Sequence, residues 1–552
     1  MGSLPPFSPR SYPDENEVVD LVVVGGGITG AGVAWDAGLR GIRTILFEGR
    51  DYGSGTSGRS SKLIHGGLRY LEQGDLHLVF EAVRERTRLR RLARHLVRPL
   101  PFYLPHYSHQ KHPRIVLGIG LWLYEALTIF QVERLHRALT AEDFRKVFPA
   151  LRTEGLDGGY LYYDASTQDA RLVWELIRGA REIGVRTYSY TPVVGIEREG
   201  ELWRVLYRVE ERERGVRARS VVLCLGAFGY RELPRFFPKL RLTVRPSKGI
   251  HLVIDPRRVL EIPGALVMTH PRDRRVTFLL PGRRYLYLGT TDTEEETDLE
   301  EPEVLPGDVE YLLEVYHAYF PRAPLDEGAI TASWAGLRPL IDEGSKAGTY
   351  RVSREHRIFS PETGVFVIEG GKLTTFRRMA KESVDLCARY LARRFGLEIP
   401  PSATAREPLP GSRGIRTEED LLAIGRRLRD FGLGEDVVHH LLYTYGVQVL
   451  ELLPYIEEDP EPLLPHLPYT RGEIRYIVER EDVGEFEDLL LRRSEIYFQD
   501  PENGMGILEE LKRLISGVLR VPPESLKPAA QRYKQRVERG LSFRGVPHRA
   551  FR

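Results

Sequence analysis

An uninterrupted apolar run, Leu21-Val22-Val23-Val24, feeds directly into Gly25-Gly26-Gly27-Ile28-Thr29-Gly30 and then into a helical pattern from Ala31 to Leu39. A second short apolar run, Thr44-Ile45-Leu46-Phe47, ends at Glu48. Short all-apolar runs of this length predict strands buried on both faces, as in a parallel sheet. Further on, Leu76 to Leu96 predicts a long Arg/Glu-rich amphipathic helix, and Thr187 to Val209 predicts short strands at Val193-Val194 and Trp203–Val209. Ser220 to Ala227 predicts a buried strand ending in a small-residue turn. From about Arg241 to Thr293 the chain is strand-rich, with Gly249–Ile254 and Tyr285–Thr290 the clearest cases. Val365 to Glu369 predicts another buried strand, which runs through Gly370-Gly371-Lys372-Leu373-Thr374-Thr375 into a helix from about Phe376 to Phe395.

A Pro- and Ser-bearing linker, Ile399 to Gly414, precedes a helical pattern with candidates at Glu418–Phe431, Glu435–Tyr445 and Ile507–Val518. The expected organisation is an N-terminal extension (1–17), an α/β unit (18–398), a linker (399–414) and a helical C-terminal domain (415–552). Within the α/β unit an interleaved substrate part falls mainly at about 75–165 and 230–345. A chain of 552 residues exceeds what one core organises.

Composition narrows the classes. With 42% apolar and 29% charged residues the chain is of soluble globular type. Its formal charge of +2, from 80 basic and 78 acidic residues, supplies no global field for nucleic acid. Cys224 and Cys387 are far apart and without metal-ligand company, so a reducing compartment and no metal site are expected. Residues 1–13 lack an apolar signal core, and no run reaches transmembrane length. The nearest, Ile115 to Phe130, is interrupted by Glu125 and preceded by His109, Lys111, His112 and Arg114. It reads as a buried or amphipathic helix, or as one that meets a membrane surface through its basic flank.

A strand, a Gly-x-Gly-x-x-Gly turn, a helix and an acid at the tip of the next strand form a dinucleotide-binding βαβ unit. Gly25 allows the tight turn, Gly27 lets the backbone approach a pyrophosphate, and Gly30 lets helix and strand close. Glu48, eighteen residues after Gly30, is placed for an adenosine ribose and argues against a 2′-phosphate. These residues alone leave FAD and NAD both open. The Gly370-Gly371 turn forms a second place where backbone amides at a helix start can hold an anion or a flavin carbonyl.

The segment Ser60-Ser61-Lys62-Leu63-Ile64-His65-Gly66-Gly67-Leu68-Arg69-Tyr70-Leu71-Glu72 resembles FAD-dependent glycerol-3-phosphate dehydrogenase, the flavoprotein family that feeds electrons to membrane quinone. Five more blocks follow in the expected order: Asp169–Val173, Lys248–His251, Gly289–Asp292, Gly336–Leu340 and Gly370–Thr375. The resemblance implies a glutathione-reductase-type FAD-binding Rossmann domain interleaved with a β-sheet-rich substrate domain. It decides for non-covalent FAD over NAD. It implies cofactor contacts at Gly25, Gly27, Gly30, Glu48, Thr56, Ser57, Ser61, Lys62, His65, Gly67, Val193, Gly226, Gly371, Lys372, Leu373 and Thr374. Where the family commonly has Ala-Thr-Gly-Pro-Trp, this chain has Cys224-Leu225-Gly226-Ala227-Phe228, which keeps the glycine turn but not the hydroxyl or the indole. The mitochondrial members' calcium-binding extension finds no counterpart in Asp500–Gly504, whose ligand spacing is wrong.

The implied reaction oxidises sn-glycerol 3-phosphate to dihydroxyacetone phosphate, with electrons passed to quinone. A phosphate dianion calls for Arg donors, and loss of the C2 proton calls for a base near neutrality. By resemblance Arg69, Tyr70, Arg338 and Arg354 bind substrate, and His251, Arg338 and Lys372 carry the chemistry, with His251 as base. The expected partners are a membrane surface on the cytoplasmic side and a second copy of the chain. An oxygen-using glycerol-phosphate oxidase is the nearest rival, followed by an amine or amino-acid oxidase of the same fold branch.

Overall fold

The computed structural model describes residues 11–67, 76–110, 113–127, 134–240, 244–258, 262–293, 300–341 and 356–544. The βαβ unit forms as its pattern requires. Strand Val18–Val24 lies between Arg212–Leu223 and Thr44–Phe47, parallel to both, and the helix Ile28–Leu39 returns between them. The sheet order is His356–Phe359, Val365–Gly370, Arg212–Leu223, Val18–Val24, Thr44–Phe47, Arg186–Tyr188. A hairpin, Val193–Glu199 with Leu202–Val209, continues from the first half of Arg212–Leu223. Residues 19–24 are buried throughout, which is why their run lacks alternation. One face is covered by the helices Ile28–Leu39, Asp169–Glu182 and Phe376–Phe395, the other by the aromatic residues Phe47, Tyr188, Trp203 and Tyr207.

A second sheet runs Ile330–Ile341, Val244–Ile254, Leu286–Gly289, Val276–Pro281, Ala265–Thr269, Arg98–Tyr107, Leu156–Ser166, Leu63–Ile64. The strand Arg98–Tyr107 was hidden by its prolines. Pro99, Pro101 and Pro105 share one parity, so the residues between them keep their N–H groups for the antiparallel ladder with Leu156–Ser166. One face of this sheet packs on the helix Pro306–Tyr319. The opposite face, with Phe102, Tyr285 and Trp334, shares a core with Leu441, Tyr469, Ile477 and Phe498 of the C-terminal helices. The C-terminal part is thus a layer on the second sheet.

Several elements differ in extent from the pattern. The helix expected over Leu76–Leu96 stops at Leu92, and the strand expected at Ser220 begins already at Arg212. The C-terminal helices Val449–Glu458 and Arg471–Arg480 add to those expected. Helix Arg114–Leu127 buries Gly118, Leu121, Tyr124 and Glu125. It leaves an apolar stripe outward: Ile115 is 69% exposed, Ile119 63% and Trp122 51%. Among the described residues no helix is long and apolar enough to cross a membrane.

Candidate active site

The candidate cofactor segments converge because the strands that carry them are parallel. Val24, Leu223 and Phe47 end neighbouring strands, with Gly370 one strand beyond, so the glycine turn, Gly226, Glu48 and the Gly370-Gly371 turn line one sheet edge. Ligands of open α/β sheets bind outside the carboxyl ends of such strands. Gly25 sits at φ +102°, and a Cβ there would run into the carbonyl oxygen of Cys224. A Cβ on Gly30 would run into the carbonyl oxygen of Gly25. These two glycines close the turn on itself. Gly27 and Gly226 differ: a Cβ on Gly27 would touch only Ser57 Oγ, at 3.1 Å, and one on Gly226 would touch nothing within 4 Å.

Gly27 caps the helix without a side chain, and the Ile28 N–H donates to Ser57 Oγ at 2.9 Å. The Glu48 carboxylate accepts from the N–H of Gly26 at 2.6 Å and of Arg50 at 2.8 Å, one oxygen each. Burial raises its pKa, opposed by those two bonds. A helix start without a side-chain cap, glycines open on one side, and an acid with a spare lone pair on each oxygen fit the diphosphate and ribose of FAD. Val193 starts the hairpin strand and Leu373 packs on the core beneath the nucleotide sheet. His65 and Thr374, 309 residues apart, bond reciprocally: the His65 N–H donates to Thr374 Oγ1 at 3.2 Å, and that hydroxyl donates to the His65 carbonyl at 3.3 Å. This joins the His65–Gly67 loop to the turn that holds Gly371 and Lys372. Thr56 Oγ1 donates to the Leu337 carbonyl at 2.7 Å, tying the loop to the second sheet.

Substrate candidates sit on two antiparallel strands, where Ser247 faces Arg338 and His251 faces Trp334. The Arg338 guanidinium donates to Thr290 Oγ1 at 2.8 Å and to the Thr291 carbonyl at 3.0 Å, and lies 3.5 Å from Asp292 Oδ1. It crosses the bare Cα of Gly249, where a Cβ would run into both the guanidinium and the Thr290 hydroxyl. His251 stacks on Trp334 with centroids 4.7 Å apart, and its Nε2 is 2.9 Å from Ser61 Oγ. Its Nδ1 is buried and has no hydrogen-bond partner among the described residues. Burial, then the charges of Arg338 and Lys62, lowers the His251 pKa to about 3. Near neutral pH the imidazole is therefore uncharged, with the Arg338 guanidinium beside it. Arg69, Tyr70 and Arg354 lie outside the described residues.

Lys62, a candidate cofactor contact, has its ammonium in a buried ion pair. It is 2.8 Å from Asp169 Oδ1 and 3.3 Å from Glu495 Oε1. Asp169 also accepts from the Ser60 hydroxyl at 2.7 Å. Thr290, Asp292, Gly249 and Trp334 were missed as site residues. Gly289–Asp292 and Lys248–His251 stood out only as blocks without individual roles, and nothing in the sequence pairs Trp334 with His251.

Residues 20–398 match the family model described as FAD dependent oxidoreductase, and residues 402–525 match the C-terminal domain of alpha-glycerophosphate oxidase. A glycerol-3-phosphate dehydrogenase of Mycobacterium leprae is 34% identical, over 96% of this chain and 90% of its own. An aerobic glycerol-3-phosphate dehydrogenase of Staphylococcus haemolyticus is 31% identical, over 91% and 92%. The solved structure of a glycerol-3-phosphate dehydrogenase from Bacillus halodurans, complexed with FAD, superposes with a TM-score of 0.77 at 28% identity and covers 97% of both chains. An L-alpha-glycerophosphate oxidase from Mycoplasma pneumoniae shares the fold, with a TM-score of 0.55 at 16% identity over 71% of this chain and 99% of its own. The fold is the expected FAD-binding Rossmann arrangement with an interleaved substrate sheet and a helical C-terminal domain. With FAD as its cofactor, the chain belongs to the FAD-dependent oxidoreductases, in the glycerol-3-phosphate dehydrogenase family.

Proposed function

We propose that this protein oxidises sn-glycerol 3-phosphate to dihydroxyacetone phosphate and passes the electrons to a membrane quinone. The observation that carries the reading is the Arg338–His251 pair, held on two neighbouring strands and joined to the cofactor loop by the bond from His251 to Ser61. FAD, when bound, supplies the acceptor for the hydride of C2. Arg338, a planar donor already oriented by Thr290 and Asp292, binds the anionic substrate or its hydroxyl, with Arg69, Tyr70 and Arg354 as further contacts. His251 remains the acceptor for the C2 hydroxyl proton, its ring oriented by the Ser61 bond, but its lowered pKa makes it a weaker base than the near-neutral imidazole expected from the sequence, so Arg338 must make the hydroxyl more acidic. Lys372, at the Gly371 turn, polarises the substrate or the flavin edge.

The acceptor is read from the outside of the molecule. The stripe Ile115, Val116, Ile119, Trp122, Leu123 on one helix, with Arg114 and His109 beside it, suits shallow insertion into an anionic bilayer, where a quinone resides. Burial of the same stripe between two copies is the competing use. Oxygen as acceptor is the second reading, supported by the match of residues 402–525 to an oxidase domain.

Anaerobic titration of the FAD-loaded protein with sn-glycerol 3-phosphate should bleach the visible flavin absorbance, and a quinone analogue should restore it faster than oxygen. Faster recovery with oxygen and stoichiometric peroxide would establish the oxidase instead. No bleaching would remove the substrate assignment.

A further inference from the structure

The C-terminal layer reaches the cofactor loop at two points. Asp51, three residues after Glu48, is wholly buried. Arg493 grips it with two parallel bonds, Nη1 to Oδ2 at 2.8 Å and Nη2 to Oδ1 at 2.6 Å. Arg492 adds Nε to Oδ2 at 2.6 Å. At the other end of the loop, Glu495 shares the Lys62 ammonium with Asp169. All three C-terminal groups come from four consecutive residues, 492–495, of one short segment.

What lies between the two anchors is the cofactor loop. The Gly53 N–H donates to the Gly26 carbonyl at 3.1 Å, Ser57 meets the start of the glycine-turn helix, and Ser61 meets His251. Lys62 itself is held in the left-handed region at φ +54°, which disfavours a side-chain-bearing residue unless its surroundings fix it. The ion pair with Asp169 and Glu495 is that fixation. Buried pairs of this kind add little net stability over a well-packed apolar contact, whereas removal of one partner leaves the other charge buried and uncompensated.

We propose that segment 492–495 of the C-terminal domain is a positioning frame for the flavin loop, so that FAD affinity and flavin environment are set in part by Arg493 and Glu495. These are positioning residues; they act through Asp51 and Lys62. The proposal rests on FAD as cofactor and not on the substrate proposed above.

The test uses the full-length protein stripped of FAD and titrated with it, read by flavin fluorescence and by the visible circular dichroism of the bound flavin. Arg493→Lys keeps the charge but not the fork, and should raise the FAD Kd roughly tenfold. Glu495→Gln should weaken binding in the same direction and change the flavin dichroism. Leu421→Ala, a cavity in a separate C-terminal cluster, controls for lost stability: it should lower Tm yet hold the FAD Kd within about twofold. The proposal is overturned if Arg493→Lys and Glu495→Gln lower Tm as Leu421→Ala does while Kd and dichroism stay at the wild-type values. Should Arg493→Lys not fold, Glu495→Gln still decides.

Discussion

The two edges of the active site are built by different means. The edge proposed for the cofactor offers mainly backbone: glycine turns, a helix start without a side-chain cap, and one acid that spans the turn. On the edge proposed for the substrate the groups on offer are side chains, with Arg338, His251 and Thr290 brought from three separate segments. Backbone sites are rigid because steric closure holds them, whereas side-chain sites depend on each group's neighbours. The two edges should therefore fail separately.

Breaking the turn should have the largest effect. Gly30→Val places branched carbons where the Gly25 carbonyl oxygen sits, and should weaken FAD uptake roughly 100-fold or more, about 3 kcal/mol, along with stability. A flavin titration and a melting curve would read both. Arg338→Met should leave FAD affinity within about twofold and lower kcat/KM for sn-glycerol 3-phosphate by roughly 100-fold, the scale of a lost charge-assisted contact. Gly249→Ala is milder, because its Cβ meets the movable end of Arg338 and not backbone. A drop of about tenfold in kcat/KM, without loss of FAD, is expected from displacing that guanidinium.

Acid sharpens the contrast in a smaller way. The folded protein holds His251 neutral down to about pH 3, whereas an unfolded chain protonates it below the ordinary value of 6.5. Relative to His251→Asn, the wild type should lose stability as pH falls from 6.5 toward 3, by up to about 1.4 kcal/mol per pH unit. Paired melting curves across that range check the sign. A kcat/KM profile of the free enzyme should show no His251 ionisation near neutrality.

The same division explains what could be read from the chain. Gly25, Gly27, Gly30 and Glu48 fall within one βαβ unit, where local spacing determines spatial role. The Phe376–Phe395 helix and the Gly370-Gly371 turn were legible for that reason. The prolines of Arg98–Tyr107 conceal a strand because only the sheet reveals which N–H groups are needed. Lys62 has the look of a ligand in its loop, and its partner Glu495 is 433 residues away by numbering. Asp51 with Arg493 is a like case. Buried ion pairs between distant segments leave no periodicity, so neither anchor of the loop could be inferred.

The most direct measurement is anaerobic stopped-flow reduction of the FAD-loaded Arg338→Met protein by sn-glycerol 3-phosphate, beside the wild type. A flavin bound with wild-type affinity but reduced roughly 100-fold more slowly would show that the two edges are separate and that Arg338 serves the substrate. Reduction at the wild-type rate would contradict that role, and loss of the flavin with the arginine would contradict the separation itself.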